Sequence, residues 1–440
     1  GKHLRRFRRN APGHRSMLRI GPAGERQAAM ACINVDSYRH FGRLGAGAVM
    51  GAKNLKGIIV HGHRSLPLPE GKAYTALYKD IFTQLTTTDM MRKYHDLGTP
   101  VNMAALNGLK ALPWRNMQAT QDETAIDGVS GERFAEQLLL RQTACAGCPV
   151  GGIHIGLLRQ LFAGDHEYLY RQVSYDHETV FAHGPMLGMN RAGAVLALLD
   201  EAERQGLDGI SSGVAMAWAA EAFERGVISE RETMEPLAFG DVAALRRGIT
   251  HLGRGSNDFY RLLGQGAAKA AAVYGGADFA CVLGQEMAGY ATGEVFFASQ
   301  AMGFRHSHLD SAGYTYDQKH TDKDPAKAVA FLVDDEKTRV MLCMMVSCLF
   351  ARGVYSPERL AEALEAVGHG EMARNLDAAA GTVQRLRWRL KFETGYDPDR
   401  VRIPKRFSEI TTWKGPLDAE YMEAVRRGLA QAAREMGQRP

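Results

Sequence analysis

The hydrophobic pattern changes character along the chain. Residues 17–62 set short apolar runs between glycine-rich turns, as in Met17–Glu25 and Gly42–Gly62, and Gly57–Val60 is predicted to be a strand closed by Gly62. Beyond Pro69 the apolar positions fall at helical spacing, and Ala73–Leu97 is predicted to be one amphipathic helix with a glycine stop. Asn190–Gln205 follows, with Gly206 suited to the C′ position. Ser211 or Ser212 should cap a helix through Val214–Arg225 that ends at Gly226. Asn257–Tyr274, a helix opened by Ser356 as N-cap with Pro357 behind it, Met372–Glu393 and Asp418–Met436 make the later part almost all helix. Between them, Gly289–Gln318 carries Gly, His, Asp and Tyr in irregular order, the texture of a loop lining a site. No internal repeat or low-complexity tract is visible. The class is α+β, a small β-rich start before a helical bulk.

Length and composition narrow the picture. A chain of 440 residues predicts about two to four domains at ~150 residues each. Hydrophobic residues at 45% and charged residues at 23% are ordinary for a globular protein with a large core. The longest apolar run, Val340–Ala351, is far shorter than the ~20 residues of a spanning helix. No secretory signal opens the chain. Six cysteines are too few for a disulfide framework, which points to a reducing, cytoplasmic compartment with cysteine kept for chemistry. A net charge of +5 identifies no partner. The early basic run of Lys2, Arg5, Arg6, Arg8, Arg9, Arg15 and Arg19 holds a single aromatic, Phe7, and no aromatic interleaving follows it. It reads as a solvated face, not as a nucleic-acid arm. The chain starts at Gly1, so we expect it to be processed or part of a longer protein.

Two motifs carry chemistry. Cys145-Ala-Gly-Cys148-Pro149 places two thiolates where they can grip one metal centre, and proline after cysteine is common in iron–sulfur loops. Zinc sites and redox dithiols share that spacing. Cys343 and Cys348 can supply further ligands, and His154 can complete a Cys₃His zinc site with Cys145, Cys148 and one distant cysteine. Cys32 and Cys281 lie in apolar contexts and read as core. The second motif is Gly42-Arg43-Leu-Gly45-Ala-Gly47 through Gly51-Ala-Lys53-Asn54-Leu-Lys56. Its glycines let backbone amides approach an anion while Arg43, Lys53 and Lys56 add positive charge, so anion binding is favoured. It matches neither the P-loop nor the dinucleotide fingerprint.

Taken in order, IGPAGE (20–25), GRLGAGAVMGAKNLK (42–56), CAGCP (145–149), ERQGLDGISSG (203–213), RHSHLD (305–310) and CLF (348–350) resemble the tungsten-containing aldehyde:ferredoxin oxidoreductase family across essentially the whole chain. The resemblance implies a tungsten or molybdenum centre held by two pyranopterins beside a 4Fe-4S cluster. It implies oxidation of aldehydes to carboxylic acids, with electrons passed to ferredoxin or an iron–sulfur partner subunit, and a possible homodimer. No nucleic-acid or membrane partner is implied. By similarity Cys145, Cys148 and Cys348 are cluster ligands. Arg43, Gly45, Lys53 and Asn54 contact the cofactor, as does the turn Glu203, Gly206, Leu207 and Asp208. Glu178 and His308 are the catalytic pair, with His306 and Tyr314 in reserve. The implied organisation is 1–62 as the end of a pterin-binding domain, then helical domains over 63–283 and 284–440.

The chain departs from the family pattern in three places. Gly152 stands where the cluster loop carries a third cysteine. A three-iron cluster, a cluster with an external ligand, a substitute ligand such as His154 or Cys343, or no cluster all satisfy that change. The second pterin-contacting turn reads Cys343-Met-Met-Val346-Ser347-Cys348, keeping only its last cysteine. IGPAGE also sits nearer the start than in the family, so an N-terminally incomplete member is expected. A homologue without activity, acting only as a partner-binding subunit, is the alternative.

Overall fold

The computed structural model describes residues 14–36, 38–64, 67–163 and 167–438; the basic positions Lys2–Arg9 lie outside them. Strands β1 (His14–Arg19), β2 (Ile33–Val35), β3 (Arg39–Phe41) and β4 (Gly57–Gly62) form one antiparallel sheet in the order β3-β2-β1-β4. The expected strand at 57–60 is therefore present. Part of the glycine-rich segment, expected as turns, is instead a helix over Ala46–Ala52. It packs against the short helix Pro22–Glu25. Small residues allow that approach: a Cβ on Gly51 would lie 1.8 Å from the Gly24 carbonyl oxygen.

A second sheet, not foreseen in the sequence, consists of β5 (Leu139–Thr143), β6 (Ile153–Ala163) and β7 (Glu167–Tyr175), all antiparallel. The β5–β6 connection carries Cys145 and Cys148. Helix Ala192–Gln205 packs across β6 and β7, and Val242–Arg254 packs on that helix. At the centre lies Ser211–Glu224, apolar on all sides and buried from Ser211 to Ala222. A helix without a polar stripe belongs inside a core. Its cap differs from expectation: the Asp208 carboxylate, not a serine, accepts the Ser211 N–H at 2.8 Å.

Three further sequence expectations are corrected. Ala73–Leu97 is two helices, Lys72–Thr87 and Asp89–Asp96, because Thr88 adopts an extended ψ of 138°. Asn257–Tyr274 is Asp258–Leu263 and Ala267–Tyr274, parted at Gly266 with φ 119°. The expected loop 289–318 contains helices Glu294–Met302 and Gly313–Lys319. The Ser356 cap is present, accepting the Arg359 N–H at 3.3 Å. Helices Pro325–Met344, Gly370–Glu393 and Ala419–Gln438 pack on one another and complete the helical bulk. The main core runs from Trp114 and Trp218 to Phe297 and Phe407, and Cys32 and Cys281 are buried as expected. No helix among the described residues is long and apolar enough to cross a membrane.

Candidate functional site

Glu178 occupies the first turn of helix His177–His183. Asp176 fixes that turn with a reciprocal cap: its carboxylate accepts the Thr179 N–H at 3.0 Å, and its own N–H donates to the Thr179 hydroxyl at 3.1 Å. The 289 segment then approaches closely. A Cβ on Gly289 would lie 2.8 Å from Cγ of Phe181, so a bare backbone is needed there. This lets the Gly289 N–H donate to Oε2 of Glu178 at 2.9 Å. His308 comes from the far side of the chain and sets Nε2 3.2 Å from Oε1 of Glu178. That contact is not aligned as a hydrogen bond, and Oε1 has no hydrogen-bond partner.

Burial raises the Glu178 carboxyl to about 7, with Asp176 adding to the effect while the Gly289 N–H and Arg43 oppose it. Burial lowers His308 well below its ordinary value, and the guanidinium groups of Arg43 and Arg339 add to that. The imidazole is therefore neutral near pH 7, and the carboxyl is the group poised to hold or release a proton.

Three residues here carried little or no sequence signal. Tyr290 packs on His308 at 5.5 Å between ring centres and stacks on Tyr314 at 5.0 Å. Arg339 donates to the Tyr314 hydroxyl at 3.2 Å and to the His308 carbonyl at 3.4 Å. Asp176 acts through its cap. Only the cap had a local signature, an Asp three residues before Thr179. The other contacts are long-range. The reserve candidate His306 instead bonds the Ala301 carbonyl and Lys391, outside this cluster.

Arg43 connects this pair to the glycine-rich segment. Its guanidinium donates to the Glu286 carbonyl and to Ser211 Oγ at 3.4 Å, and lies 3.6 Å from the Asp208 carboxylate. Its Nε and Nη1 are buried without a hydrogen-bond partner. Gly45 turns the chain into the next helix at φ 71°, where a Cβ would meet the Ala29 carbonyl at 2.7 Å. Lys53 and Asn54 lie exposed at the far end of that helix, and Lys56 pairs with Glu25. Arg43 alone among the motif's basic residues reaches the site.

The 203–208 turn closes helix Ala192–Gln205. Gly206, at φ 72°, donates to the Glu203 carbonyl at 3.2 Å, and Leu207 donates to the Ala202 carbonyl at 3.0 Å. This is a Schellman stop. Leu207 forms a β-bridge with Ala31. The two acids part company: Glu203 accepts from Asn34 and His40 beside the first sheet, while Asp208 faces Arg43. Arg43, Asp208, Glu178 and His308 thus come together, and Glu203, Lys53 and Asn54 stand apart.

The cysteines form a second centre. The Cys148 N–H closes a turn on the Cys145 carbonyl at 3.1 Å. Cys148 packs with Tyr94 and Tyr355 on Val150, Ala351 and Val354, which draws the loop of Cys348 alongside. Burial raises the Cys348 thiol, and Cys148 and Cys145 add to the effect. Cys145 and Cys348 are exposed. His154 is buried and stacked on Tyr175, with Nε2 2.9 Å from the His95 carbonyl. Cys343 is exposed near the end of helix Pro325–Met344. Among the described residues no three His, Cys, Asp or Glu side chains converge on one ion, so the Cys₃His zinc site is not assembled.

The unpartnered donors of Arg43 fit an anionic group, and Oε1 of Glu178 and Nδ1 of His308 leave hydrogen-bonding capacity beside it. Comparison with known proteins agrees on family. Residues 2–62 match "Aldehyde ferredoxin oxidoreductase, N-terminal domain", and residues 76–436 match "Aldehyde ferredoxin oxidoreductase, domains 2 & 3". The tungsten-containing aldehyde ferredoxin oxidoreductase of Pyrococcus abyssi is 30% identical over 286 residues, which is 63% of this chain and 45% of that protein. An aliphatic sulfonate oxidoreductase, WOR-like subunit, of Pyrococcus furiosus is 27% identical over 268 residues, 60% of this chain and 41% of the relative. The chain therefore spans less than half the length of these relatives. In fold it is similar to the active site complex BamBC of benzoyl coenzyme A reductase in complex with 1,5-dienoyl-CoA, with a TM-score of 0.76 at 15% identity over 98% of this chain and 72% of that one. Matched along nearly all of its length, the chain belongs to the aldehyde ferredoxin oxidoreductase family.

Proposed function

We propose that this chain belongs to an oxidoreductase that converts small aldehydes to carboxylic acids at a tungsten or molybdenum bis-pyranopterin centre, passing electrons through an iron–sulfur cluster to ferredoxin or a partner subunit. The convergence of Glu178 and His308 on Arg43 and Asp208 supports it most. When bound, the pterin-held metal supplies two-electron chemistry at a carbonyl carbon. Arg43 would hold the anionic cofactor through Nε and Nη1, while Asp208 keeps the guanidinium in place. Glu178 takes a proton from water through Oε1, held in position by the Gly289 N–H on Oε2. His308, kept neutral, orients the oxygen or passes the proton on. Cys145, Cys148 and Cys348 would hold the cluster.

Glu178→Gln tests the assignment. Aldehyde oxidation should fall on the order of 10²–10⁴-fold with tungsten, molybdenum and iron per chain unchanged. Full activity in the variant would overturn the role of Glu178.

A partner-binding subunit without activity is the second reading, favoured by Val346. This β-branched residue occupies a glycine-type turn position at φ 53° in the altered 343–348 segment. Elemental analysis of anaerobically purified protein separates the two. Pterin metal near one per chain supports the enzyme, and its absence supports the subunit.

A further inference from the structure

Among the described residues, hydrogen bonds do not hold the imidazole of His308. Nε2 faces Oε1 of Glu178 at 3.2 Å without alignment, and Nδ1 is buried without a partner. Packing on Tyr290 limits the ring, but its place beside Glu178 is set by the backbone that carries it. That backbone belongs to neither helix nor strand, so side chains must anchor it.

Asp310 staples the first part of the segment from within. Its carboxylate accepts the Arg305 N–H at 2.7 Å and the Ser307 N–H at 3.2 Å, and Arg305 Nε donates to it at 2.7 Å. From His308 onward the ties run outward, to helix Pro325–Met344. Asp335 and Arg339 stand one turn apart on that helix, and Arg339 is only 3% exposed. Arg339 donates through Nε to Asp335, through Nη1 to the His308 carbonyl at 3.4 Å and through Nη2 to the Tyr314 hydroxyl at 3.2 Å. The same Asp335 oxygen accepts the Ala312 N–H at 2.7 Å. Two side chains thus clamp residues 308, 312 and 314 to one helix. The segment has no slack against helix Glu294–Met302 either, where a Cβ on Gly313 would lie 2.3 Å from Oγ of Ser299.

We propose that Arg339 is a positioning residue for the Glu178–His308 pair: its planar fork fixes the backbone that carries the imidazole, and its positive charge stands behind the ring. The inference rests on the roles proposed above for that pair and adds what holds it. Arginine suits the place because three nitrogens in one plane reach a carboxylate, a carbonyl and a hydroxyl at once. A lysine ammonium would supply the charge without that geometry. The other groups facing His308 are Glu178 and His177 from helix His177–His183, Arg43 from the glycine-rich segment, Arg305 from its own segment, and Tyr290. Arg43, Arg339, His177 and Arg305 all disfavour a proton on the ring.

The test uses the full chain and two readouts that need no turnover. Hydrogen exchange of residues 305–316 follows the clamp. Histidine-selective NMR, with His308→Gln to assign the resonance, follows the ring. Arg339→Lys keeps the charge and loses the fork, so exchange should quicken by about 10–100-fold, the loss of one charge-assisted hydrogen bond, with the His308 titration unmoved. Arg339→Met loses both, so exchange should quicken as much and the His308 midpoint should rise toward its ordinary 6.5. Wild-type exchange in Arg339→Lys would overturn the positioning role. An unmoved midpoint in Arg339→Met would overturn it too, leaving Arg339 a structural tie alone. If the methionine variant does not fold, the lysine variant still decides. Full activity in Glu178→Gln would remove the catalytic roles of the pair and leave both readouts unchanged, so the two failures are distinguishable.

Discussion

A carboxyl raised to about 7 beside an imidazole held neutral gives the Glu178–His308 pair one proton to share near neutral pH. Activity that needs the carboxylate should rise through pH 7 and level off above it, and Glu178→Gln should remove that limb. Stability moves the other way. The folded state binds this proton more tightly than the unfolded chain, whose carboxyl titrates near 4.5. The stabilising contribution is complete below that value and is lost as pH rises through about 7. Thermal melts should show Glu178→Gln gaining on the wild type by about 1–3 kcal/mol at pH 8 but not at pH 4. Equal differences at both pH values would show that Glu178 does not carry the shift. The sequence placed both residues by resemblance to the family. It held nothing about the size of the shift, because the Gly289 amide that opposes the effect of burial comes from a contact 111 residues away.

Two helix stops share one geometry with different residues at C′. At 202–207 the C′ position is Gly206; at 342–347 it is Val346, whose N–H donates to the Cys343 carbonyl at 3.2 Å while Ser347 donates to the Leu342 carbonyl at 2.9 Å. The turn therefore survives the loss of its glycine, at the cost of a β-branched residue in the left-handed region that is 93% exposed. Val346→Gly should raise stability by about 1 kcal/mol, read as a higher midpoint in urea. An unchanged or lower midpoint would mean that Val346 makes contacts worth more than its strain. Stops and caps of this kind were the legible part of the fold. Gly206 and Ser356 marked their helices correctly. The breaks at Thr88 and Gly266 did not show, since the apolar spacing continues across both. Nor did β6–β7, whose outer half leaves Leu161, Leu169 and Tyr170 exposed, so the alternation that marks a half-buried strand is blurred.

At the scale of the whole molecule, one buried ion pair ties the end of the chain to its centre. Glu221 is fully buried in the central helix, and Arg406 meets it with two nitrogens, at 2.6 and 3.3 Å. Asn116 donates to the same carboxylate at 2.6 Å, and its carbonyl accepts from Arg406 at 2.8 Å. Arg225 reaches Glu221 from a half-exposed position. Three segments far apart in sequence are thus held at one carboxylate. A sequence offers no sign of this, because each partner is an ordinary charged residue in its own neighbourhood. Arg406→Leu leaves Glu221 with the solvated Arg225 and one amide, and should cost about 3–5 kcal/mol in urea unfolding. Replacing Glu221 by Leu as well removes the stranded charge and should recover much of that loss. If the single variant stays within about 1 kcal/mol of the wild type, Arg225 alone satisfies the carboxylate, and the C-terminal segment is held by the packing of Phe407 against Phe297 at 4.8 Å.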